Sequence, residues 1–107
     1  MDLSEVERFE VKEKYLKVSE AMRIGMGMFP DKCIGQFFDG RYAACALGAI
    51  FAGFGYRSSN RVPLEVMKRV DGAQEVYDAA FGRYIHHDND MGVARETILL
   101  RLESLGL

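Results

Sequence analysis

The residues best equipped for chemistry stand in one run, His86-His87-Asp88-Asn89-Asp90, downstream of the chain's two cysteines, Cys33 and Cys45. Imidazole, carboxylate and thiol together suggest nucleophilic catalysis. Cys45 would be the nucleophile at the start of a helix, where the positive end of the dipole favours a thiolate. His86 or His87 would act as base and Asp90 would orient it, for acyl transfer or amide hydrolysis. The setting of Cys45, within Ala43-Ala44-Cys45-Ala46-Leu47, favours a buried inert thiol instead.

A metal is a weaker reading of the same run. A calcium loop needs a third oxygen ligand where Gly92 falls, and zinc needs about four ligands that the spacing does not assemble. No Cys-x-x-Cys pair, phosphate-cradling glycine loop or cofactor motif occurs, so no metal and no cofactor is expected. The plain reading of the polar run is a connecting loop in which Asp88 or Asp90 caps the following helix.

Those residues must be held by helices. Ser4 with Glu7 forms a capping box, and Val11, Tyr15, Val18 and Met22 make one apolar stripe on a first helix that weakens at Gly25 and Gly27 and ends before Pro30. Val6, Phe9, Leu16 and Ile24 lie on its far side. That second face suggests a partner or a second copy of the chain. Residues 34–42 suit a short hairpin turning at Asp39-Gly40. Ala43 to Phe54 predicts a helix that is apolar all round and central to the core, with Gly48 and Gly53 allowing another backbone close.

Pro63 opens a short helix ending near Asp71-Gly72. Asp71 with Gln74 starts the next, whose face is Val76, Tyr77, Ala80, Phe81 and Tyr84. A last helix follows Asp90, with Ala94, Ile98, Leu102 and Leu105 as its stripe and Gly106 at its end.

Composition sets the frame: 107 residues, 49% hydrophobic and 28% charged, with a formal net charge of −2. That is enough apolar content for one helical domain over residues 1–107 and too little net charge for disorder. Fourteen basic against sixteen acidic residues offer no general field for phosphate backbones. The densest basic stretch, Arg57 and Arg61 with Lys68 and Arg69, is too sparse to predict nucleic-acid binding. The uncharged run from Ala43 to Tyr56 is shorter than the about 20 residues that span a bilayer. The first residues resemble no leader, so the expected address is the cytoplasm, with both thiols reduced.

Cys45-Ala46-Leu47-Gly48-Ala49, preceded by Tyr42, and Asn89-Asp90, followed by Arg95-Glu96, resemble a loose group of small bacterial and phage proteins. That group shares a Cys-x-Leu-Gly-Ala helix and, some forty residues on, an Asn-Asp pair leading into a terminal amphipathic helix. The similarity runs from about Tyr15 onward. It departs at Asp88, where many of the group carry an aromatic residue or leucine. The resemblance implies a helical fold in which the Cys45 helix meets the Asn89-Asp90 cap, and it implies no activity. The expectation is therefore a mainly α protein of about five helices that acts as a small interaction or regulatory module, a homodimer in its simplest version. A Cys45 hydrolase is the alternative.

Overall fold

A computed structural model describes residues 6–8, 16–58 and 64–107, and the protein is mainly helical with short strands. In chain order the elements are β1 (Val6–Arg8), α1 (Val18–Met28), β2 (Asp31–Lys32), β3 (Phe38–Asp39) and β4 (Ala43–Ala44). They continue as α2 (Ala46–Gly53), β5 (Tyr56–Ser58), α3 (Leu64–Phe81), α4 (Ile85–Asp90) and α5 (Arg95–Ser104). β1 pairs antiparallel with β5, and β4 is central in a sheet of order β2-β4-β3.

The first helix departs from its sequence expectation. Val6 lies in β1, opposite Ser58, and the helix begins only at Val18. The capping signal at Ser4 is local, whereas the strand is selected by a partner some fifty residues away. The start of α1 is closed by Glu20, which accepts from the Lys17 amide at 2.9 Å, and by the Leu107 carbonyl, which accepts from Ser19 at 3.1 Å. The helix ends before Pro30, as the restriction on a pre-proline residue requires. Val18 and Met22 of the expected stripe are buried. Val11 and Tyr15 lie outside the described residues.

The hairpin forms at Gly40, which takes φ of 66°, with Phe38 opposite Ala44 and Asp39 opposite Ala43. Its return strand occupies Ala43 and Ala44, so the central helix spans 46–53 rather than 43–54. Every residue of α2 is buried. It lies at the centre because α1 packs on it at backbone distance: a Cβ on Gly25 would stand 1.7 Å from the Ala49 carbonyl oxygen, and one on Gly53 would stand 1.7 Å from that of Ala21. Gly25 is therefore a packing residue inside α1 and not a weak point in it.

Contrary to the expectation of two helices, α3 runs unbroken through Asp71-Gly72. Val66, Val70, Ala73 and Tyr77 recur at spacings of four, three and four and are all buried. That continuous stripe outweighs the roughly 1 kcal/mol a helical glycine costs relative to alanine. The expected face was rotated: Tyr77 is in the core, but Val76 and Phe81 are exposed and Tyr84 precedes the next helix. In α5 Ile98 and Leu102 are buried as expected. One cluster of buried side chains draws on all five helices.

Candidate functional site

The run His86 to Asp90 is the helix α4, not a loop. Its inward positions are Ile85, Asp88 and Asn89, at helical spacing, and the two polar ones are buried with partners elsewhere in the fold, although Oδ1 of Asp88 accepts no hydrogen bond among the described residues. Neither Asp88 nor Asp90 caps α5, whose N-cap, Ala94, forms no side-chain cap bond.

Asn89 is the central tie. The parallel strands β2 and β4 exchange bonds from Asp31 N to Tyr42 O and from Cys33 N to Ala44 O, and the next bond would run from Ala46 N to Cys33 O. The carboxamide of Asn89 stands in that gap. Its Oδ1 accepts from the Ala46 amide at 3.0 Å and its Nδ2 donates to the Cys33 carbonyl at 3.1 Å. One side chain thereby extends the ladder by a rung, closes the first turn of α2, and anchors α4 to both.

Asp88, also buried, accepts from the Tyr77 hydroxyl at 2.5 Å and from Arg101 at 3.1 Å, with Arg83 at 3.9 Å from its other oxygen. Burial, then the bond to Asp88, pushes the Tyr77 phenol above its ordinary pKa. Arg95 is buried at the C-terminal end of α1, where it donates to the carbonyls of Phe29 at 2.7 Å, Pro30 at 2.6 Å and Ala44 at 3.2 Å. A cation there complements the negative end of the helix dipole, although burial lowers its pKa from the usual guanidinium value. These groups tie α3, α4 and α5 to one another and to the end of α1.

Beside this framework lies a cleft of about 720 Å³, whose lining includes polar Cys45, His86, Asp90 and Gln74 and apolar Phe37, Leu47 and Met67. Three of the four candidate catalytic residues therefore share one cavity. His87 is exposed and does not line it. The three are not coupled in the way a triad requires. The Cys45 sulfur, as N-cap of α2, accepts from the Gly48 amide at 3.3 Å. His86 pairs its Nδ1 with Gln74 Oε1 at 3.0 Å and stacks on Tyr84. Asp90 accepts from the Gly35 amide at 3.2 Å.

Burial pushes the Cys45 thiol up to about 11; the Gly48 amide, the next largest influence, lowers it without offsetting that, and Cys33 and Asp90 add smaller upward contributions. A thiol this basic stays protonated at neutral pH. Its alkylation by iodoacetamide is expected to be slow at neutral pH and to rise about tenfold per pH unit toward that value, because only the thiolate attacks. A plateau near neutrality, read from intact mass against time, would instead show an activated cysteine.

The expected partner face does not assemble on α1. Leu16 is 4% exposed and belongs to the core, Val6 is in β1, and Phe9 lies outside the described residues. Of the two whose side chains are described, Ile24 is exposed, at 45%. Two members of the basic stretch are stacked on rings: Arg69 lies 4.4 Å from the centre of Phe54, and Arg57 covers Phe29 and Phe38. Arg61 lies outside the described residues. Among the described residues no three His, Cys, Asp or Glu side chains gather as a metal would need, and no helix is long and apolar enough to cross a membrane.

Of the cleft residues the sequence reading missed, Met67 and Gln74 stand seven positions apart on one face of α3, a spacing that could have joined them, whereas nothing in the sequence links Phe37, between β2 and β3, to either. No protein-family model, curated protein or solved structure matches the chain. The resemblance to the bacterial and phage group thus rests on its two short motifs.

Proposed function

We propose that the protein is a small helical interaction module that works in the cytoplasm by binding a partner and not by catalysing a reaction on it, and that its working surface is the cleft between Phe37, α2, α3 and α4. The occupant is a peptide segment of a partner protein in which a large apolar side chain neighbours a lysine or arginine. The observation that carries this reading is that apolar Phe37, Leu47 and Met67 line the same cleft as the exposed Asp90 carboxylate. An apolar side chain gains by leaving water against that wall, and a basic neighbour finds the carboxylate. The protonated, N-capping state of Cys45 supports binding over hydrolysis.

Selection of a random peptide library on the folded chain is expected to enrich such apolar-basic pairs. Asp90→Asn keeps an oxygen for the Gly35 amide and removes the charge. It should weaken the selected peptides about threefold, as for an exposed ion pair. Absence of enrichment, or equal binding to the variant, would overturn the reading.

A further inference from the structure

Cys33 and Cys45 face each other across the parallel pair β2–β4. The register Asp31↔Ala43 and Lys32↔Ala44 continues by one rung, since the Cys33 amide donates to the carbonyl of Ala44, the residue preceding Cys45. The two residues also converge on a single carbonyl: Phe37 O accepts from the Cys45 amide at 3.0 Å and lies 3.8 Å from the Cys33 sulfur. Directly opposed residues of paired strands sit about 4.8 Å apart and project to the same face. A disulfide needs a Cα separation of about 4.4–6.8 Å. Both thiols are free and buried, and Cys45, 5% exposed, lines the cleft, the side from which a reagent would reach it.

We propose that Cys33 and Cys45 form a reversible dithiol–disulfide pair, a redox site built into the β2–β4 rung beside the cleft. The oxidant is a low-molecular-weight disulfide. The Cys45 thiolate, its proton released to solvent, attacks one sulfur of the oxidant, breaks its S–S bond and releases one thiolate. The Cys33 thiolate, likewise deprotonated, then attacks the Cys45 sulfur, forms the protein disulfide and releases the second thiolate. The two released thiolates take up the two protons, so the protein loses two hydrogens and the oxidant is reduced to two thiols.

Oxidation has a structural consequence. The Cys45 sulfur leaves the Gly48 amide, so α2 loses its side-chain cap, and Cys33 gives up its bond to the Gln36 carbonyl, at 3.3 Å in the reduced form. Both changes fall on elements that wall the cleft. Bond formation itself does not depend on what the cleft binds.

The full chain, folded by circular dichroism, is incubated with glutathione disulfide at mildly alkaline pH, quenched in acid and mapped by mass spectrometry. The expected result is a loss of two hydrogens, a Cys33–Cys45 linked peptide, and a displaced Gly48 amide resonance, all reversed by dithiothreitol. Cys33→Ser should stop at the glutathione adduct on Cys45. An adduct on wild-type Cys45 that never resolves, or reaction in denaturant only, would overturn the proposal. Because these readouts involve no peptide ligand, failure of the binding reading leaves them unaffected.

Discussion

Alanine in place of Gly25 or Gly53 is expected to destabilise the protein by about 3 kcal/mol or more, at the upper end of what overpacking costs. The two positions are reciprocal. Ala21 and Gly25 on α1 meet Ala49 and Gly53 on α2, each pair four residues apart, and each added Cβ would stand 1.7 Å from a carbonyl oxygen of the facing helix. A clash with a flexible side chain can be relieved by a rotamer change, but here both parties are backbone. The helices must separate, and separation uncovers the core between them. Gly27 is the control, because nothing lies within 4 Å of its Cβ position. Gly27→Ala should be neutral or stabilising by up to about 1 kcal/mol, since alanine is the better helix former. Urea unfolding of the three variants checks this; a Gly25→Ala midpoint close to that of wild type would mean that α1 and α2 are not in backbone contact.

Asn89→Ala is expected to cost about 3 kcal/mol. It leaves the Ala46 amide and the Cys33 carbonyl without partners in a buried setting, at about 1–3 kcal/mol for each orphaned group. Asn89→Asp separates the two bonds. A carboxylate still accepts from Ala46, but it sets an oxygen against the Cys33 carbonyl where a donor stood, so a large loss is expected there also. Amide exchange gives the local readout: in Asn89→Ala the Ala46 amide should exchange faster than the amides of α5, which does not share the bond. Equal protection, with unfolding unchanged, would remove Asn89 from the role assigned to it.

Particular residues show how far the sequence was legible. The α5 stripe of Ile98 and Leu102, the stop before Pro30, the turn at Gly40 and the close-approach glycines Gly48 and Gly53 all follow from rules that act within one or two turns of chain. The failures share a cause. β1 depends on β5, Gly25 depends on Ala49, and the buried face of α4 is polar because Asp88 meets Tyr77 and Arg101 while Asn89 meets Ala46 and Cys33. A buried carboxamide whose partners lie 43 and 56 positions away has no periodicity to betray it. In α3 the capping signal at Asp71 is local and gives way to the stripe from Val66 to Tyr77, which burial keeps whole.

For the candidate site, the types of residue were legible and their relations were not. Cys45, His86 and Asp90 do line one cleft. Their hydrogen bonds go instead to Gly48, Gln74 and Gly35. By itself the sequence determined a mainly helical chain with an apolar central helix, because apolar spacing, proline and glycine act locally on the backbone. Only the tertiary structure decided that α1 and α2 touch at their glycines, that Asn89 completes a ladder, and that Cys33 stands beside Cys45. Each of these is a contact between distant parts of the chain, and its energy exists only once the chain has closed around it.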